Sequence, residues 1–217
     1  MRTDELIVEL ARSAGPVRPL PSPAIRLARW TAVTAPLMAL AVIVIGPRAD
    51  VVTAIAQPAF LGIGVATIGT ALLSAASALV LGVPGAERWV WQRVLPLTAG
   101  VVWALALVYL LMIEGAALRR LQQWPFHWLC LIEIVGLSIG PSWALVVMLR
   151  RAAPVRRAWA GALATLAAVA VGAAATQFLC PLDDPAHQLV GHAFPVAVLA
   201  LLGALVGRRY LNWMRLT

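Results

Sequence analysis

The 217-residue chain has no lysine, and its charged residues, at 12%, are about half of the roughly 25% carried by a water-soluble domain. Its 62% of hydrophobic residues exceeds the usual 45–50% or about that, and its mean hydropathy is +0.88. So little polar surface excludes a water-soluble enzyme, and so much apolar surface excludes disorder. A polytopic membrane protein remains. The chain is also poor in charge of one sign, with nine acids against seventeen arginines. In a membrane protein this excess reads first as topology, and no direct nucleic-acid contact is expected. There is no CxxC pair for a quinone-linked thiol oxidase, and HExxH, GxSxG and Walker patterns are absent. No enzymatic function is expected. Residues 1–14 carry Asp4, Glu5 and Glu9 and lack a long apolar core, so no signal-peptide processing is expected.

A helix crosses a bilayer with about 20 apolar residues, each rising about 1.5 Å through a core about 30 Å thick. Six runs qualify: Leu27–Gly46, Ala59–Leu81, Val94–Ile113, Trp128–Met148, Ala158–Leu179 and Val190–Val206. The expected fold is all-α, with six transmembrane helices. Their alternation puts fourteen arginines on one side and only Arg48, Arg119 and Arg120 on the other. The positive-inside rule then places both termini in the cytoplasm.

Trp30, Trp89, Trp91, Trp124, Trp128, Trp159 and Trp213 flank these runs, as an aromatic belt would, whereas Trp103 and Trp143 lie deeper. Gly136 and Gly140 predict a smooth strip on the fourth span. The fifth, mostly Ala and Gly, is expected at the bundle's centre. Pro96 and Pro141 are expected near helix ends, and a transporter would more often show broken helices meeting at the midplane.

Two parts follow: an N-terminal segment, 1–29, outside the bilayer and a six-helix domain, 30–217. In the first, Thr3 is expected to cap a helix with Asp4 and Glu5 in its first turn. Leu6, Ile7 and Leu10 recur at helical spacing beside Glu5 and Glu9. Gly15 and Pro16 would end that helix, and Pro16, Pro19, Pro21 and Pro23 would form a stiff tether. The helix either lies on the inner leaflet or offers its apolar face to a cytoplasmic partner. Acids outnumber bases over positions 3–11, which weakens the lipid reading.

Every Cys and His falls in the second half: His127, Cys130, Cys180, His187 and His192. The topology puts all five in the outer leaflet. His127 and Cys130 share a helix face, and Glu133 extends that stripe one turn deeper. A carboxylate inside a span suggests function, and Asp183 and Asp184 offer further oxygens. Three functional readings stand open: a structural disulfide, a site for a soft ion such as Cu(I) or Zn(II), or a thiol redox switch. Inert packing is the fourth. The spacing does not separate them.

Three tracts carry a resemblance: TDELIVELA with PVRPLPSPAIRLARW; PFHWLCLIEIVGLSIGPSWALVVMLRRAAPVRRAWAGALA; and FLCPLDDPAHQLVGHAFPVAVLALLGALVGRR. Over nearly its whole length the chain resembles the NrsF family, six-helix inner-membrane anti-sigma factors of proteobacteria. The resemblance implies a cytoplasmic N-terminus that sequesters an extracytoplasmic-function sigma factor. It also implies a response to heavy metal or oxidant through Cys130 and Cys180, with His187 and His192 matching in the same block. The sensed ion would be copper, zinc, cadmium or similar, and no cofactor is required. Membrane lipid is a further partner, and a homo-oligomer is left open. The rival functions are a small transporter or metal-export accessory protein, and a structural subunit with a constitutive disulfide.

Overall fold

The computed structural model describes residues 2–14, 19–83, 85, 90–113, 117–122, 127–152 and 154–211. Among them every regular element is helical: α1 Thr3–Ser13, α2 Pro23–Ile45, α3 Val51–Ile55, α4 Pro58–Leu81, α5 Trp91–Ile113, α6 Ala117–Gln122, α7 Trp128–Arg150, α8 Arg157–Thr176 and α9 Pro185–His187, followed by a π-helical turn, Gln188–Ala193, and α10 Phe194–Tyr210. Six runs are long and apolar enough to cross a membrane: α2, α4, α5, α7, α8 and the continuous Pro185–Tyr210. They are the six expected spans, with shifted ends.

The shifts have local causes. Ser22 accepts the Ile25 N–H at 3.4 Å, and Pro23 occupies the first helical turn, where its missing N–H costs nothing. Pro23 therefore opens α2 and does not belong to the tether. The last span starts at Pro185 because Asp184 accepts the N–H groups of Ala186 and His187 at 2.7 and 3.2 Å. Before Pro195, which has no N–H to give, the helix widens, and the Phe194 N–H reaches Leu189 C=O. In α1 the cap is Arg2, not Thr3. Thr3 is already helical, and Glu5 reaches back to accept the Arg2 N–H at 2.9 Å. The stop expected at Gly15 and Pro16 lies outside the described residues.

The alanine-rich α8 is the most buried span and packs on α4, α7, α10 and α2, as its composition predicts. At its start the approach to α10 is backbone to backbone. A Cβ on Gly161 would sit 2.6 Å from Gly207 Cα, and one on Gly207 2.5 Å from Arg157 C=O. Further along, a Cβ on Gly172 would sit 2.5 Å from Ile134 C=O of α7. The expected strip on α7 is only half present: Gly140 faces Leu37, but a Cβ on Gly136 would meet open space. The sequence signal for the true crossing is Gly203-x-x-x-Gly207.

Two expectations are corrected in α2 and α7. Trp30 is not a belt residue: it is 1% exposed and donates its indole N–H to Pro141 C=O at 3.1 Å. Pro141 lies in the middle of α7, not near its end. Beside them Arg26, also buried, donates to Met148 C=O at 2.7 Å and to Leu79 C=O at 3.5 Å. These carbonyls belong to the last turns of α7 and α4, where no intrahelical donor remains and a cation suits the helix dipole. Trp91 and Trp128 are exposed at span ends, Trp159 stacks with Arg93 at 5.7 Å, and Trp89, Trp124 and Trp213 lie outside the described residues.

Candidate metal centre

Three chain segments meet at the end of the bundle opposite Arg26. Cys130 sits in the first turn of α7. Cys180 follows α8 by four residues, its N–H held by Thr176 C=O at 2.8 Å. His187 ends α9, and His192 lies in the π-helical turn. All four are buried, and one ligand atom from each falls within 4.8 Å of the others. The two sulfurs are 3.5 Å apart, and His187 Nε2 lies 3.5 Å from Cys130 Sγ and 3.4 Å from Cys180 Sγ.

The sulfur–nitrogen distances match the edges of a coordination polyhedron, and the two sulfurs lie slightly closer than its edge. A tetrahedral ion with bonds of about 2.3 Å to sulfur and about 2.0–2.1 Å to nitrogen has edges near 3.8 Å between sulfurs and about 3.5 Å between sulfur and nitrogen. His192 adds a fourth donor: its Nε2 is buried with no hydrogen-bond partner. A buried imidazole nitrogen left unpaired is costly unless something else occupies it. Two thiolates with two imidazoles suit Zn(II), Cd(II) or Cu(I). Both cysteines are free thiols, at a separation well beyond a disulfide bond of about 2.05 Å.

The other expected site residues take different positions. His127, at the N-cap of α7, stacks edge-on against His187 with ring centroids 5.0 Å apart and stands outside the four-residue group. Glu133 is partly buried, with Oε2 unpaired, and is also outside it. Asp183 does not face the thiols as a ligand: both its oxygens pair with Arg48 at 2.6 Å. Asp184 caps α9, positioning His187 through its backbone. In α1, Leu6, Ile7, Leu10 and Glu9 are exposed, and Glu5 spends one oxygen on the cap.

Arg48 is the residue that the sequence reading missed, having been counted only for topology. Its side chain is 1% exposed. Nε and Nη2 grip Asp50 at 2.7 and 2.8 Å, while Nη1 reaches Cys180 C=O at 3.0 Å. Its backbone N–H donates to Phe178 C=O at 2.9 Å. Arg48 holds the Asp50 carboxyl below the usual carboxylate range, and hydrogen bonds to Asp50 and Asp183 push the guanidinium pKa further up, outweighing burial. The only hint in the sequence is Asp50 two residues on, in a loop otherwise without charge.

A family model described as "Negative regulator of sigma F" matches residues 10–213, a stretch that contains the whole Cys/His cluster and all six spans. No curated protein and no solved structure shows a significant match to the chain. With the match covering nearly the full length, the chain belongs to the NrsF family, negative regulators of a sigma factor.

Proposed function

We propose that the chain is an anti-sigma factor of the bacterial inner membrane that holds an extracytoplasmic-function sigma factor through the N-terminal segment that precedes α2 and releases it when Cys130, Cys180, His187 and His192 bind a thiophilic metal ion. The arginine asymmetry supports cytoplasmic termini and a periplasmic cluster. The exposed apolar stripe of α1, Leu6, Ile7 and Leu10 beside Glu9, supports a helix that docks on a protein partner. The observation that carries the sensing reading is the convergence of four buried donors, two thiols and two imidazoles, whose ligand atoms lie within 4.8 Å of one another. An ion bound there supplies bonds made in one state of the bundle and not in the other.

A ligand shifts an equilibrium only by its differential affinity for the two states. A 100-fold loss of sigma affinity needs about 2.7 kcal/mol of coupling, within reach of one or two metal–ligand bonds made in a single state. The sulfur–sulfur contact of 3.5 Å favours a second input to the same switch. An external oxidant taking two electrons from the two thiols would join them as a disulfide, with loss of two protons.

The test is a sigma-dependent reporter in cells titrated with cadmium. Cys130→Ser and Cys180→Ser each abolish induction, and an unaltered dose response removes the sensing reading. Deleting residues 1–14 frees the sigma factor, and its recovery at wild-type levels in a pull-down removes the docking reading. Co-purification from membranes, with mass spectrometry of bound protein and elemental analysis of bound metal, identifies the partner and the ion together.

A further inference from the structure

Helix α2 leads directly into the N-terminal segment, yet it contributes no ligand to the cluster and is the least buried of the six spans. A helix so lightly packed is positioned by its few directed contacts. At the end next to the tether these are Arg26 on Met148 and Leu79, and Trp30 on Pro141. At the other end Met38, Ala41 and Val42 pack against Leu137, Ala175 and Leu179, and among the described residues the polar contacts to other spans are made by Arg48, three residues after the last residue of α2 and joined to it through Gly46, whose φ of 99° sets the turn.

We propose that Arg48 is the positioning residue through which the state of the cluster reaches α2 and thereby the sigma-binding segment, a mechanism that rests on the sensing reading above. The guanidinium is committed on both sides. Toward its own loop it grips Asp50; toward the loop of Cys180 it grips Asp183 with two bonds, Cys180 C=O at 3.0 Å and Pro181 C=O at 3.4 Å. All five N–H groups of the fork are used, so it cannot follow one side without pulling the other. The carbonyl that it holds belongs to the ligating cysteine itself. A movement of Cys180 onto an ion, or toward Cys130, is therefore a movement of the group to which Arg48 is bonded. Over 23 residues, α2 carries that displacement about 34 Å to the tether. A rigid element with discrete anchor contacts at each end is the kind of physical link that coupling between distant sites requires.

The experiment measures that coupling on the full-length protein with its sigma factor, using Cd(II) alone as the probe. Sigma affinity is determined with and without cadmium, and cadmium–thiolate absorption reports binding at the cluster. For the wild type the two affinities differ by about 100-fold. Arg48→Gln keeps the thiolate absorption and the cadmium-free sigma affinity, but the ratio falls below about tenfold. Asp183→Asn, which leaves Asp50 to hold the guanidinium, lowers the ratio less, and Arg48→Lys retains more of it than Arg48→Gln. If both Arg48→Gln and Asp183→Asn bind cadmium and keep the wild-type ratio, the inference is overturned. It is overturned equally if Asp183→Asn loses cadmium binding, because Arg48 then only holds the site together. Should Arg48→Gln fail to accumulate, Asp183→Asn alone decides. A wild-type ratio of one with cadmium bound removes the sensing reading, and this inference falls with it.

Discussion

The indole N–H of Trp30 donates to the carbonyl of Pro141, 3.1 Å away and 111 residues along the chain. Both residues are buried, and the bond ties the first span to the middle of the fourth, at the one turn of α7 where a proline removes a backbone donor. Trp30→Phe keeps an aromatic ring but deletes the donor and part of the volume. The expected loss of stability is about 1–3 kcal/mol, read as a lowered unfolding midpoint in detergent.

The crossing of α8 and α10 depends on absent side chains. Gly161→Ala and Gly207→Ala each push a methyl into opposing backbone, which cannot rotate away, and cost about 1–3 kcal/mol by overpacking. Gly136→Ala, with open space around its Cβ, is the control. It leaves stability unchanged or raises it slightly, since alanine is the better helix former. Equal melting curves for the three variants would contradict this account of the crossing.

Asp50 gives the clasp a pH dependence with a definite sign. Arg48 holds the folded-state pKa of Asp50 below its ordinary value, so the stabilisation is present above the unfolded-state value of about 3.9 and fades as pH falls through the folded-state value. Asp50→Asn therefore melts below wild type at neutral pH, and the gap closes in acid. A gap that widens on acidification would reverse the assignment.

Metal binding at two thiols must expel their protons. Cadmium affinity consequently falls as pH is lowered, by up to about a hundredfold per pH unit below the ordinary thiol range near 8.5. Titrations near pH 7 and pH 8, above the ordinary imidazole range near 6.5, that follow cadmium–thiolate absorption measure it. In Cys180→Ser the slope drops to about tenfold, because a single thiol remains.

The six spans were legible because hydropathy is summed along one dimension, and a run such as Ala59–Leu81 needs no partner to declare itself. Ends were less legible, being set by single caps such as Ser22 and Asp184. The central place of α8 followed from its alanines, since small side chains admit neighbours on all sides. Which glycines meet which backbone did not follow: Gly136 and Gly207 look alike in sequence, and only one of them has a helix opposite.

For the site, the sequence by itself determined the donors: the soft ligand types, their concentration in the second half of the chain and the end of the bundle to which alternating spans deliver them. Tertiary structure alone decided which of them meet. Cys130, Cys180, His187 and His192 converge, while Asp183, as close in sequence to Cys180 as Cys130 is to Glu133, turns to Arg48. Beyond Asp50, two residues on, the partners of the buried guanidinium lie 132 to 135 residues away, so sequence shows little of it, and its charge is stabilised where two loops from distant spans come together.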